Sequence, residues 1–256
     1  MGLALNLIVV FHLKLRMTCI YSCVYMKLSG NLIYYASNCK GQLMTIFNML
    51  GETEWEKARA ATLWTKEPET IEWIKRFEGG IFWDIGANIG IYSLYCAYRH
   101  PDMEIHAFEP MKGNFLRLWQ NILLNDFVNI TAHFKAFGAD RKIVKFEPGN
   151  KDIGSSGGQV GDSGYPIEMI DGHICYDCSD SPKYIKIDTD GNEYDILSGM
   201  SYLLKNKKLK GLLVEVNNHE EQVESMMADA GLVVDDELMA LKGRPKHDHN
   251  VIYKRK

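Results

Sequence analysis

Downstream of residue 80 the hydrophobic and polar positions fall into an alternating rhythm. Short apolar runs at 81–85, 104–108, 129–134, 184–188 and 211–216 are bounded by turn residues and read as buried strands. Stretches with a 3.6-residue apolar period, at 89–98, 114–125, 194–206 and 220–230, separate those runs and read as helices. In the second of these, Phe115, Leu118, Trp119 and Ile122 share one face and are expected to pack on the sheet. The rhythm lapses at 139–182, where 142–147 and 167–171 read as strands around Gly154-Ser155-Ser156-Gly157-Gly158, either a linker or a gate over a site. Runs at 232–235 and 250–254 close the chain, joined by a connection too short for a crossover helix, so they should be antiparallel. Strands alternating with helices predict an α/β fold with a doubly wound parallel sheet.

Upstream, residues 54–77 are helical in pattern, with Trp55, Ala58, Leu63, Ile71, Ile74 and Phe77 as the expected buried stripe and Pro68 at a helix start, a cap over the sheet edge or the pocket mouth. Residues 2–13 are nearly all apolar, but Lys14 and Arg16 stop the run short of the about 18 residues a spanning helix needs. No basic region precedes it, no small-residue cleavage site follows it, and Asn6 stands where myristoylation favours Ser or Thr. The segment reads as a docking helix or strand, residues added upstream of Met17 or Met26, or a peripheral membrane contact. The expected division is an apolar extension at 1–50, a helical cap at 51–78 and the main domain at 79–256. A chain starting near Gly51 is then expected to fold, because every candidate pocket residue lies downstream.

At 256 residues there is room for one α/β domain with a full core plus an extension. A formal charge of −4 argues against general affinity for nucleic-acid backbone, and the lysines at 205, 207, 208 and 210 suit a helix C-terminus. Six scattered cysteines suit a reducing compartment, hence a cytoplasmic location with membrane association at most through the N-terminal segment. Cys175 and Cys178 could be half of a zinc site, but His247 and His249 are spaced too closely to complete it, and no metal is expected.

The chemistry concentrates where strand 81–85 meets its helix. Gly86 and Gly90 allow a sharp turn and close approach of a ligand to the helix start. The turn is neither a dinucleotide fingerprint nor a phosphate loop, and Asp84 would repel a pyrophosphate. An acid there suits a cation such as the α-amino group of S-adenosyl-L-methionine (SAM), with the Gly86, Ala87 and Asn88 backbone beside it. Glu109 ends the next strand 23 positions beyond Gly86, close to the roughly 20-residue offset at which an acid meets ribose hydroxyls. Asp188 ends a third strand, so three acids should converge on one crevice.

Four stretches together carry a family likeness: Lys66-Glu67-Pro68-Glu69-Thr70; Trp83-Asp84-Ile85-Gly86-Ala87-Asn88-Ile89-Gly90; Ala107-Phe108-Glu109-Pro110 with Asn114, Asn121 and Asn125; and Lys186-Ile187-Asp188-Thr189-Asp190-Gly191-Asn192-Glu193. With the run at 212–216 they make the chain resemble the FkbM family of SAM-dependent methyltransferases from about residue 63 onward. The resemblance implies a Rossmann-like methyltransferase sheet with a terminal antiparallel pair. It also implies a SAM pocket containing Asp84, Gly86, Asn88 and Glu109, with Asp188 beside it.

Gly90 belongs to the same turn, and an apolar slot for adenine is expected at Phe108, Pro110 and Ala136. Methyl transfer from a sulfonium needs alignment and exclusion of water. A hydroxyl acceptor also needs a base, for which Asp188, Asp190 and Glu193 are candidates, with Lys186 orienting a carboxylate. His106 and His133 read as core or edge histidines. The expected activity is O-methylation of a sugar or other small hydroxylated metabolite. A nucleotide-dependent oxidoreductase and a non-catalytic SAM-binding scaffold are the alternatives.

Overall fold

The computed structural model describes residues 7–8, 23–28, 31–37, 43–173, 181–241 and 250–256, with side chains from residue 47 onward. Cys175, Cys178, His247 and His249 lie outside that set. Strands β1 (Leu7–Ile8), β2 (Cys23–Leu28), β3 (Asn31–Ser37) and β4 (Leu43–Leu50) form an antiparallel sheet in chain order. Among the described residues no helix is long and apolar enough to cross a membrane.

The segment ends as a strand docked on the main domain. Phe47 and Met49 of β4 are buried in the main core. Asn125 accepts the Asn48 amide at 2.5 Å and returns a bond to its carbonyl, and Asn121 accepts the Leu50 amide at 2.9 Å. Helices α1 (Glu54–Thr62) and α2 (Pro68–Lys75) follow. Leu63, Ile71, Ile74 and Phe77 are buried as the pattern predicts, but Trp55 is 45 % exposed and Ala58 lies outward. Glu56 takes the inner place because its carboxylate closes a capping box with Thr53 and meets Arg117 Nε at 2.8 Å.

The central sheet is the expected one. Strand β5 (Ile81–Ile85), helix α3 (Ile91–Arg99), strand β6 (Glu104–Phe108), helix α4 (Lys112–Leu124) and strand β7 (Ile130–His133) wind outward in one direction. The chain then makes a small sheet from β8 (Ala136–Phe137), β9 (Lys142–Glu147), β10 (Gln159–Gly161) and β11 (Tyr165–Ile170), in the order β10-β9-β11-β8. It returns beside β5 as β12 (Tyr184–Ile187), then helices α5 (Glu193–Gly199) and α6 (Ser201–Lys205), strand β13 (Gly211–Glu215), helix α7 (Glu220–Asp229), strand β14 (Leu232–Val234), short helix α8 (Asp236–Met239) and strand β15 (Asn250–Arg255). The order is β14-β15-β13-β12-β5-β6-β7, parallel from β7 to β13, with β15 antiparallel to both neighbours.

Alternate strand residues feed the two faces. Phe82, Ile105 and Leu213 join the cluster under α2, α3 and α4, whereas Trp83, Ile85, Ile187 and Val214 join that under α5 to α7. The single helix expected at 194–206 is broken at Met200, where Gly199 admits the Gly138 carbonyl so closely that a Cβ would sit 2.4 Å from it. In α4 the inner stripe is Asn114, Arg117, Leu118, Asn121 and Ile122, while Phe115 is only half-buried and Trp119 is 51 % exposed. Each polar member of that stripe has a partner on another element, which rotates the helix away from its purely apolar face.

Candidate active site

The outward run through β5, β6 and β7 and the return at β12 leave a switch point between β5 and β12, where α/β sheets open a crevice at their strand ends. A cavity of about 370 Å³ lies there. Its wall includes Gly86, Asn88, Phe108, Glu109, Pro110, Ala136, Asp188, Asp190 and Glu215. Asp84, Ala87, Gly90, Lys186 and Glu193 are not among the lining residues.

Gly86 makes the junction possible. Its φ of +80° is left-handed, and a Cβ would fall 1.8 Å from the Asp188 carbonyl oxygen. The turn is tied to β6, whose Phe108 carbonyl accepts the Gly86 and Ala87 amides at 3.0 Å each. Asn88, at φ +53°, donates its amide to Glu109 Oε2 at 2.8 Å, and Met111 donates to Oε1 at 2.8 Å. Burial pushes the Glu109 carboxyl up to about 7 against those two amides. We expect Gly86→Ala to cost about 2–5 kcal/mol, from a left-handed alanine plus an overpacked strand junction, and to lower the melting temperature by roughly 5–15 °C. An unchanged thermal melt would show that the two strand ends need no such approach.

Behind the turn lies a buried charge cluster. Asp84 is wholly buried; Ser93 donates its hydroxyl to Oδ2 at 2.6 Å, and Oδ1 has no hydrogen-bond partner among the described residues. Burial raises the Asp84 carboxyl, and the neighbouring Lys186 ammonium opposes that rise. Lys186, 1 % exposed, donates to Asp188 Oδ2 at 2.6 Å and sits 5.0 Å from the Tyr92 ring centre. Burial works against the Lys186 charge, but Asp188, Asp84 and Glu67 outweigh it and raise its affinity for the proton. Burial likewise works against the Asp188 charge, and Lys186 outweighs it, drawing that carboxyl down to about 2.

Glu193 faces its own loop, where Oε1 accepts from the Thr189 amide, the Thr189 hydroxyl and the Gly191 amide. His106 and His133 bond to each other at 2.9 Å, and Glu104 accepts or shares the outer His106 nitrogen at 2.8 Å, away from the cavity. The glycine-rich loop forms one wall. Its Ser155 carbonyl accepts from Asn88 and Asn114, its Gly154 carbonyl from Arg59 Nε, and Asp190 accepts the Gly157 amide. Arg59, Lys66, Gln159 and Glu215 also line the cavity without having been candidate site residues, and Ser155 lines it from the loop read as a linker or a gate. For Glu215 a signal existed, since it is a fourth acid at a fourth strand end. Arg59 and Lys66 belong to the segment read as a cap over the sheet edge or the pocket mouth, where no local pattern says which side chains reach the cavity.

This architecture is that of a Rossmann-like methyltransferase. The sequence matches the methyltransferase FkbM domain over residues 84–240, and the chain belongs to that family of SAM-dependent enzymes. It is 24 % identical over 165 residues to the hexuronic acid methyltransferase AglP of Haloferax volcanii, an alignment covering 60 % of this chain and 64 % of AglP. The chain thus spans under two thirds of that relative. It is 42 % identical over 43 residues to the 31-O-demethyl-FK506 methyltransferase FkbM of Streptomyces tacrolimicus, 17 % of this chain and 16 % of that one. Among solved structures, a precorrin-6y C5,15-methyltransferase from Geobacter metallireducens is similar with TM-score 0.44 and 14 % identity, over 82 % of this chain and 94 % of that one. The TrmK protein of M. capricolum, solved with S-adenosyl-homocysteine, has TM-score 0.43 and 11 % identity, over 73 % and 67 %.

Proposed function

We propose that the chain transfers a methyl group from SAM to a hydroxyl of a saccharide or similar small acceptor. The observation that carries the reading is that one cavity is lined by the Gly86 turn, the buried Glu109 and the strand-end carboxyls Asp188 and Glu215. The donor set suits SAM. Glu109 has lone pairs left beyond its two amide bonds and can accept from a ribose diol, while Phe108, Pro110, Ala136 and Phe137 supply apolar surface for a base. The Gly86 to Asn88 backbone can flank the methionine end. Asp84, Ala87 and Gly90 act from behind that wall by fixing the turn.

SAM supplies an electrophilic methyl on a sulfonium. The chain's residues have to hold the acceptor oxygen in line, keep water out and receive a proton. Lys186 fixes the Asp188 carboxylate toward the acceptor side, and Glu193 keeps the Asp188 to Gly191 loop in shape. AglP's name supports a sugar acceptor. Arg59, Lys66 and Lys135, all lining the cavity, offer positive charge to an acidic sugar.

The test is methyl-labelled SAM offered with neutral and uronic glycosides. Alkali-stable label on the sugar is the expected result. Alkali-labile label would move the acceptor atom from hydroxyl to carboxylate, and a chain that fails to bind SAM in calorimetry overturns the reading. Glu109→Gln should weaken SAM binding by roughly 10- to 100-fold, since a hydrogen bond to a charged group is worth about 1.5–3 kcal/mol. Calorimetry on the folded variant checks it.

A further inference from the structure

Four acids line the cavity: Glu109, Asp188, Asp190 and Glu215. Three are already committed, Glu109 to the Asn88 and Met111 amides, Asp190 to the Gly157 amide and Asp188 to the Lys186 ammonium. Glu215 differs. It ends β13 next to the end of β12, it lines the same cavity as Asp188, and Asn217 Nδ2 donates to its Oε2 at 3.2 Å. Two carboxyls facing one cavity resist ionising together, and the Lys186 ammonium, bonded to Asp188 at 2.6 Å, favours the charge there. Asp188 is therefore the anion and Glu215 the proton carrier.

We propose that Glu215 is the base that takes the acceptor hydroxyl's proton, with Asp188 as the residue that positions it. This rests on the O-methylation reading above. As the acceptor oxygen bonds to the methyl carbon, the methyl–sulfur bond breaks and its electron pair stays on sulfur, giving a neutral thioether. The hydroxyl proton passes to the Glu215 carboxylate, and from there to water through the cavity mouth. Glu215 must begin each turnover ionised.

Its proton affinity matches that task. Burial, followed by the Asp188 charge, raises the Glu215 carboxyl to about 7. The groups around it are Lys186 on β12 and Asp188 just past it, Asn217 beyond its own strand, Asn250 opposite it on β15, and Lys66, which acts on the pair through Asp188. Because the base form is needed, turnover should rise with pH up to about 7 and then level off.

The experiment uses the full chain carrying carboxyl-labelled glutamate, followed by NMR titration without SAM, together with calorimetry and turnover profiles. Burial holds Glu109 and Glu215 near neutrality, and Glu215→Gln should delete one of their two titrations. That variant should bind SAM within about twofold of wild type, lose roughly 100-fold or more in kcat, and lose the rise with pH. Glu215→Asp should recover part of the rate. Asp188→Asn removes the repelling charge, so the rise should move to lower pH, a shift that a merely structural loss would not produce. Wild-type turnover with an unchanged rise in Glu215→Gln, or a spectrum that keeps both titrations, overturns the assignment alone. A wild-type chain that binds SAM but methylates no hydroxyl overturns the O-methylation reading and the assignment with it.

Discussion

A chain beginning at Gly51 is expected to aggregate or to melt far below the full chain, whereas one beginning at Asn31 keeps the β3–β4 pair and the fold. The Gly51 start removes Phe47 and Met49, both essentially inaccessible to solvent, and burying such side chains contributes about 1.5–3 kcal/mol each. It also takes the Leu50 amide from Asn121 and the Asn48 amide and carbonyl from Asn125. Asn121 is fully buried, so its orphaned oxygen costs about 1–3 kcal/mol. Against a total stability of about 5–15 kcal/mol, that is a large share. Thermal melts of the two shortened chains decide it. Equal melting temperatures would mean that β4 is dispensable to the core.

The truncation also shows where sequence reading stops. Strands β5 and β6 were legible to the residue because short, largely apolar runs between turn residues have few other solutions, and the acids at or just past the ends of β5, β6 and β12 marked the crevice by topology. Periodicity failed on α4 for a definable reason. The helix buries Asn114, Arg117 and Asn121, and each reaches a different neighbour, the Gly154 amide, Glu52 with Glu56, and β4. A count of apolar positions cannot see a polar residue whose partner lies tens of positions away, so it puts Trp119 on the inner face and leaves Asn121 out of it. The same blindness put Trp55 in the buried stripe of α1, left Glu56 out of it, and kept β4 within an extension. In the site, the rule that found Asp84, Glu109 and Asp188 applies equally to Glu215, which ends the next strand. Asp84 illustrates the opposite error, since position at a strand end does not say whether a side chain opens to the cavity or, as here, turns under α3 to Ser93.

Removing the cation at the centre of the cluster should have the largest effect of any single substitution in the site. Lys186→Met keeps the bulk of the side chain but leaves Asp84 and Asp188 without their shared counter-charge. Breaking a buried pair from one side costs about 3–5 kcal/mol, because the remaining charge stays in a medium that solvates it poorly. Most of that loss should trace to Asp84, which is fully buried, whereas Asp188 keeps 29 % of its side chain open and water screens its share.

The sign with pH follows. In the wild type Lys186 draws Asp188 down to about 2, so that group's stabilisation is present above its unfolded value and fades as pH falls toward 2. Without Lys186 the Asp84 carboxyl, already raised by burial, rises further, and the folded state must hold a proton that the unfolded chain releases. The variant is then weakest at high pH and recovers on acidification. Urea denaturation at several pH values should show the gap between wild type and Lys186→Met narrowing from about pH 8 to about pH 5, and adding Asp84→Asn should narrow it at every pH. A gap under about 1 kcal/mol that ignores pH would mean that Lys186 stabilises by packing against Tyr92 and not by charge.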